Sequence, residues 1–102
     1  MPGFVTVCMV GDVPPGEMRS FQVEGEDVAI ANLDGDFVAF GDVCTHQQCS
    51  LAEGDLDDTT VICPCHGSEF DVRTGEVLGG PATENEPTFD VLVENDEVKV
   101  AL

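Results

Sequence analysis

Two short stretches hold most of the side chains in this sequence that can do metal or redox chemistry. "CTHQQC" spans residues 44–49 and "CPCH" spans 63–66. They contain Cys44, His46, Cys49, Cys63, Cys65 and His66, which is four of the five cysteines and both histidines. Thiolate sulfur and imidazole nitrogen are good ligands for zinc and iron. Each stretch offers at least one of each. Two loops held face to face could present two sulfurs and two nitrogens to one centre.

Other uses of the same residues are open. Structural zinc usually takes its ligands at C-x2–4-C and H-x3–5-H spacing. The C-x-H of Cys44 and His46 is tighter than that habit, so a zinc-stabilised interaction module is a weaker alternative. An all-cysteine iron–sulfur cluster would use Cys44, Cys49, Cys63 and Cys65, leaving both histidines idle beside it. A lone histidine is commonly structural. Two of them in matched loops, each close to a cysteine, argue against that reading.

The elements that must position these loops read as strands. The chain has 102 residues, 42% of them apolar, with 11 glycines and 6 prolines. That suits one folded, turn-rich domain spanning 1–102. Turn signals recur along the chain as in an all-β sandwich or barrel. "FVTVCMV" (4–10) reads as a first strand, and Cys8 within it as a small core residue. "SFQV" (20–23) and "VAIANL" (28–33) flank an "EGED" turn. Asp34-Gly35 sits between apolar runs, the strongest short hairpin signal. "TTVIC" (59–63) and "EFDV" (69–72) bracket the second cysteine loop, and Thr74-Gly75 marks a turn. Phe89, Val91 and Val93 alternate on one arm of a terminal hairpin, with Val98 and Val100 on the other. "SLAEGDL" (50–56) is the one candidate for a short helix, limited by Gly54. Arg73 is expected to pair with nearby acids.

Charge narrows the function classes. The sequence has 21 acidic residues against 3 basic ones, for a net charge of −18. Such a surface repels nucleic acid and anionic lipid, and it can be steered toward a basic patch on a protein partner. No apolar run approaches the roughly 20 residues needed to cross a bilayer. The N-terminus lacks the basic start of a signal peptide. A cytoplasmic location is expected, where cysteine metal sites are commoner than disulfide frameworks. No nucleophile–base pair or phosphate-binding loop is evident, so catalysis is not expected of this chain alone.

With the residues that follow it, "CTHQQC…CPCHGSEFD" resembles the Rieske [2Fe–2S] motif, C-x-H followed by C-x2-H. The resemblance implies an all-β, Rieske-like sandwich or barrel of about ten short antiparallel strands. A cluster-binding loop subdomain, over about 43–70, would sit at one end. It also implies that Cys44 and Cys63 bind one iron of a single [2Fe–2S] cluster and that His46 and His66 bind the other. Neutral imidazoles in place of two thiolates leave the oxidised cluster uncharged, which raises its potential. Gly67 and Ser68 also fall in place. "LGGPATENEP" (78–87), with Gly80 and Pro81, matches the loop that covers the cluster.

The resemblance assigns further roles. In the Rieske proteins of respiratory and photosynthetic cytochrome complexes, cysteines matching Cys49 and Cys65 form a disulfide that clamps the loops. Many dioxygenase ferredoxins lack the pair. The alternative here is two buried thiols. In the cytochrome-complex proteins the serine matching Ser68 donates to a bridging sulfide, and a tyrosine where Phe70 stands donates to a cysteine sulfur. With that donor lost, the implied potential lies below the cytochrome-complex class.

A Rieske oxygenase also needs a mononuclear iron held by two histidines and a carboxylate. Both histidines here are already assigned. The resemblance therefore implies a one-electron carrier like the ferredoxin components of aromatic-ring-hydroxylating dioxygenase systems, the carbazole and biphenyl types among them. Its partners would be a flavin-containing NAD(P)H-dependent reductase and a terminal oxygenase. The alternatives are the small Rieske subunit of an assimilatory nitrite reductase and the soluble head of a cytochrome-complex subunit.

Overall fold

The computed structural model describes residues 3–45, 49–65 and 67–101. Among these residues, ten antiparallel strands form two sheets. A six-stranded sheet has the order β1-β10-β9-β4-β3-β2, and a four-stranded sheet runs β5-β6-β7-β8. In the larger sheet the strands are β1 (Val5–Met9), β2 (Met18–Val23), β3 (Glu26–Leu33), β4 (Asp36–Gly41), β9 (Thr88–Glu94) and β10 (Glu97–Ala101). The smaller comprises β5 (Asp55–Asp57), β6 (Thr60–Ile62), β7 (Glu69–Asp71) and β8 (Val77–Gly79). The edge strands β1 and β2 come into contact, so the larger sheet curls toward a barrel. Among the described residues the only helical turns are short 3-10 segments, Val10–Asp12 and Leu51–Glu53.

The hairpins follow from turn chemistry. Leu33 pairs with Asp36, leaving Asp34 and Gly35 as a two-residue loop with φ of 58° and 104°. Positive φ at both positions twists the loop as the flanking strands require. The Asn32 side chain supports it, accepting the Gly35 amide at 2.7 Å and donating to the Val13 carbonyl at 2.8 Å. The β2–β3 turn is also tight. Val23 pairs with Glu26, so only Glu24 and Gly25 form the turn. The expected four-residue "EGED" turn is corrected accordingly.

The central strand explains where the core lies. Within β3, Val28 and Ile30 face a core shared with Val13, Val23, Ala39, Val98 and Val100. Ala29 and Ala31 face the opposite way, toward Phe40, Leu51, Phe70, Cys44 and Cys63. A strand buried on both faces reads as an unbroken apolar run rather than an alternating one. The larger Val and Ile fill the barrel. The two alanines leave room for the smaller sheet to pack closely. Fully burying each Val or Ile contributes about 1.5–3 kcal/mol.

Two further sequence expectations shift. Val93 is 46% exposed near the tip of the terminal hairpin rather than in the core, while its cross-strand partner Val98 is fully buried. The "SLAEGDL" helix reduces to the single 3-10 turn at Leu51–Glu53, which Gly54 ends. A Cβ at Gly54 would collide with the Ile62 carbonyl oxygen. Strands β5 and β8, three residues each, are additional to the elements read from the sequence. Cys8 is buried in the barrel core as expected, and Arg73 pairs with Asp36 at 3.2 Å.

Candidate metal centre

Three loops meet beside the four-stranded sheet. The first follows β4 and carries Cys44. Its neck is closed where the Cys44 amide donates to the Cys49 carbonyl at 3.0 Å and Val43 bridges Ser50. Asp42, only 6% exposed, braces the base of this loop. Its carboxylate accepts the Ser50 hydroxyl at 2.7 Å and the Ala52 amide at 2.9 Å. The second loop joins β6 to β7. The Cys63 amide donates to the Ser68 carbonyl at 2.8 Å, and the Gly67 amide returns to the Cys63 carbonyl at 3.1 Å. Gly67 has φ of 78°, a left-handed turn that glycine adopts without strain.

The third loop follows β8 and ties the other two together. It begins at a cis Gly80-Pro81 bond. Both of those residues are exposed; the contacts come from further along. The Ala82 amide donates to Ser68 Oγ at 3.1 Å. Thr45 Oγ1 donates to the Glu84 carbonyl at 2.7 Å, and the Thr45 amide donates to Glu86 Oε2 at 2.9 Å. Ala82, Thr45, Asp42 and Glu86 had no signal in the sequence. Their contacts, Ala82 with Ser68, Thr45 with Glu84 and Glu86, and Asp42 with Ser50, join segments that only the fold brings together.

The structure gathers several of the expected site residues. Cys44 and Cys63 are each 3% exposed and belong to one apolar cluster with Phe40, Leu51 and Phe70. Ser68 is fully buried and Phe70 is 1% exposed. The sulfurs of Cys49 and Cys65 are bonded to each other. Cys49, Cys63 and Cys65 have their sulfurs within 4.8 Å of one another. Two of the three are bridged, and a bridged sulfur is no thiolate, so this trio is a disulfide packed against Cys63 rather than a three-sulfur metal site. His46 and His66 lie outside the described residues.

Burial perturbs one carboxylate here. Glu86 is 4% exposed, and burial raises its pKa from an ordinary 4.5 to about 7. The Thr45 amide opposes that rise and the negative charge of Asp42 adds to it.

Residues 3–94 match the Rieske [2Fe–2S] domain family. The chain belongs to that Rieske family. It is 41% identical over 96 residues to the ferredoxin component of biphenyl 2,3-dioxygenase from Rhodococcus jostii strain RHA1, covering 94% of this chain and 90% of that one. A ferredoxin from Sphingomonas yanoikuyae B1 superposes with a TM-score of 0.93 at 30% identity, covering 98% and 99% of the two chains. A chain from the complex of reduced oxygenase and oxidised ferredoxin in carbazole 1,9a-dioxygenase superposes at 0.90 with 36% identity, covering 99% and 94%. The fold matches the all-β Rieske architecture, and the family's cofactor is a [2Fe–2S] cluster. The relatives are named as ferredoxin components, which makes this chain an electron carrier rather than a catalytic subunit.

Proposed function

We propose that this Rieske domain passes single electrons from a flavin-containing NAD(P)H-dependent reductase to a terminal aromatic-ring-hydroxylating oxygenase in the cytoplasm, as one cluster-binding unit over residues 1–102. Cys44 and Cys63 hold one iron, and His46 and His66 hold the other. The observation that carries this reading is the convergence of Cys44 and Cys63, both buried, from two hydrogen-bonded loops into one core cluster. A [2Fe–2S] cluster bound there supplies a one-electron couple.

The residues present fit that group. Cys44 and Cys63 offer two sulfurs in an apolar, water-poor setting. Ser68 accepts the Ala82 amide, which leaves its own proton to donate from a fully buried position. The disulfide of Cys49 and Cys65 links the first loop to the second. Residues 78–87 serve as the covering loop, with Gly80 and Pro81 at its exposed turn and Ala82, Glu84 and Glu86 tying it down.

Charge supports the partner class. All three basic side chains are engaged with acids: Arg19 with Glu17, Arg73 with Asp36, and Lys99 with Glu94. The remaining surface is strongly acidic and fits a basic docking patch. The likeness to a chain of the carbazole dioxygenase complex favours an oxygenase as one such partner. Stopped-flow mixing tests the proposal. The protein, reduced by a ferredoxin reductase, should be reoxidised by an aromatic-ring-hydroxylating oxygenase. Failure to exchange electrons with any such pair would overturn it.

A further inference from the structure

Glu86 is a buried acid at a place where the fold has made room for it. Its amide donates to the Gly75 carbonyl at 2.8 Å. A Cβ at Gly75 would collide with the Glu86 carbonyl oxygen, and a Cβ at Gly41 would come within 2.9 Å of Glu86 Oε1. Two glycines thus form a slot that admits this residue. The other carboxylate oxygen, Oε2, accepts the Thr45 amide. That amide belongs to the peptide segment between Cys44 and His46. No lysine or arginine offsets the carboxylate: the charged side chains facing it, among the described residues, are Asp42 on the first loop and Glu26 and Asp27 at the start of β3.

A hydrogen bond from a buried backbone amide to a carboxylate is charge-assisted and stronger than a neutral one. It fixes the backbone on which two proposed ligands sit. A negative charge in a poorly screened site also disfavours arrival of an electron nearby. We propose that Glu86 is a positioning residue for the metal centre, holding the Cys44–His46 segment through the Thr45 amide and lowering the midpoint potential through its charge. This inference rests on the ligand set proposed above.

Three variants separate the two contributions. Glu86→Gln keeps an acceptor oxygen and removes the charge. Glu86→Leu removes both. Glu84→Gln removes the same formal charge from an exposed residue two positions away, whose contact with Thr45 is made by its carbonyl. Midpoint potentials by spectroelectrochemistry at pH about 8, where a group of this acidity is ionised, should rise in Glu86→Gln and Glu86→Leu and stay put in Glu84→Gln. Hydrogen exchange of the Thr45 amide should quicken in Glu86→Leu and not in Glu86→Gln. An unmoved potential in Glu86→Gln overturns the inference, as does an equal rise in Glu84→Gln, which would make it a matter of net charge. Iron content and the EPR spectrum of the reduced wild-type protein read the ligand set separately. If they show no Rieske-type cluster, that reading fails and this inference falls with it. An intact spectrum with unmoved potentials condemns the inference alone.

Discussion

The Ala82 amide donates to the Ser68 hydroxyl oxygen at 3.1 Å, which hydrogen-bonds the third loop into the neck of the second. Ser68 therefore has two tasks: it accepts from Ala82, and it keeps a proton to donate within the core that holds Cys44 and Cys63. Ser68→Ala should lower the midpoint potential, because less negative charge is stabilised on reduction. It should also cost about 1–3 kcal/mol, since the Ala82 amide is left buried without its acceptor. Redox titration and urea unfolding check the two effects independently. An unchanged potential would remove Ser68 from the tuning set.

Phe70 provides the opposite test. It is 1% exposed, pairs with Val61 across β6 and β7, and shares a core with both buried cysteines. Phe70→Tyr adds one hydroxyl to that core. If a ligand sulfur accepts its proton, the potential rises and the protein stays stable. A hydroxyl without a partner would instead cost about 1–3 kcal/mol and leave the potential where it was. Redox titration decides which occurs; the expected outcome is a rise.

The two cysteine loops were legible in the sequence because Cys44, His46, Cys63 and His66 put sulfur and imidazole nitrogen at the spacing that the proposed ligand set needs. Asp34-Gly35 was legible because few residues tolerate positive φ at both loop positions. Other features had no local signature. The roles of Glu86 and Asp42 depend on Thr45, Gly41, Gly75 and Ser50, which are brought to them by the fold. Strands β5 and β8 were hidden because acids flank Leu56 in Asp55–Asp57 and Val77–Gly79 runs into glycine, so neither carries the signal that marked the equally short β6 and β7. Val93 misled because its alternation is genuine, but the hairpin runs past the end of the core. At β3 the run "VAIA" hid two faces in one apolar stretch, and only the packing separates the alanines from Val28 and Ile30.

The Cys49–Cys65 bond joins the first two loops across a separation of 16 residues. Closing a loop of that size restricts the unfolded chain by about 3 kcal/mol. A Cys49→Ser/Cys65→Ser double variant should therefore melt at a lower temperature yet still load iron, since neither residue is a proposed ligand. The intact mass of the wild-type protein under non-reducing conditions should be two hydrogens below that of the fully reduced chain. Loss of the cluster from the double variant would show that the pair does more than join the loops.

An acidic carrier should meet its partner by electrostatic steering. With a net charge of −18, the association rate with an oxygenase should fall steeply as salt is raised. Stopped-flow traces over a range of ionic strength would show it. A rate indifferent to salt would mean that apolar contact, rather than charge, governs the encounter.

Glu86 should leave a mark on stability as well as potential. Its carboxyl is raised by burial from 4.5 to about 7, with Asp42 adding to the rise and the Thr45 amide opposing it. Between those two values the folded protein keeps a proton that the unfolded chain has released. Folding then takes up a proton, so stability falls as pH rises. The contribution is fully present below pH 4.5 and gone above about 7. Glu86→Gln cannot titrate and keeps an acceptor for Thr45. Urea midpoints of wild type and variant should therefore lie close together near the acid end of this window. They should separate as pH rises toward its upper end, with Glu86→Gln the more stable. Parallel profiles across the whole window would mean that Glu86 is ionised throughout and that its burial is offset by a cation or a solvent path.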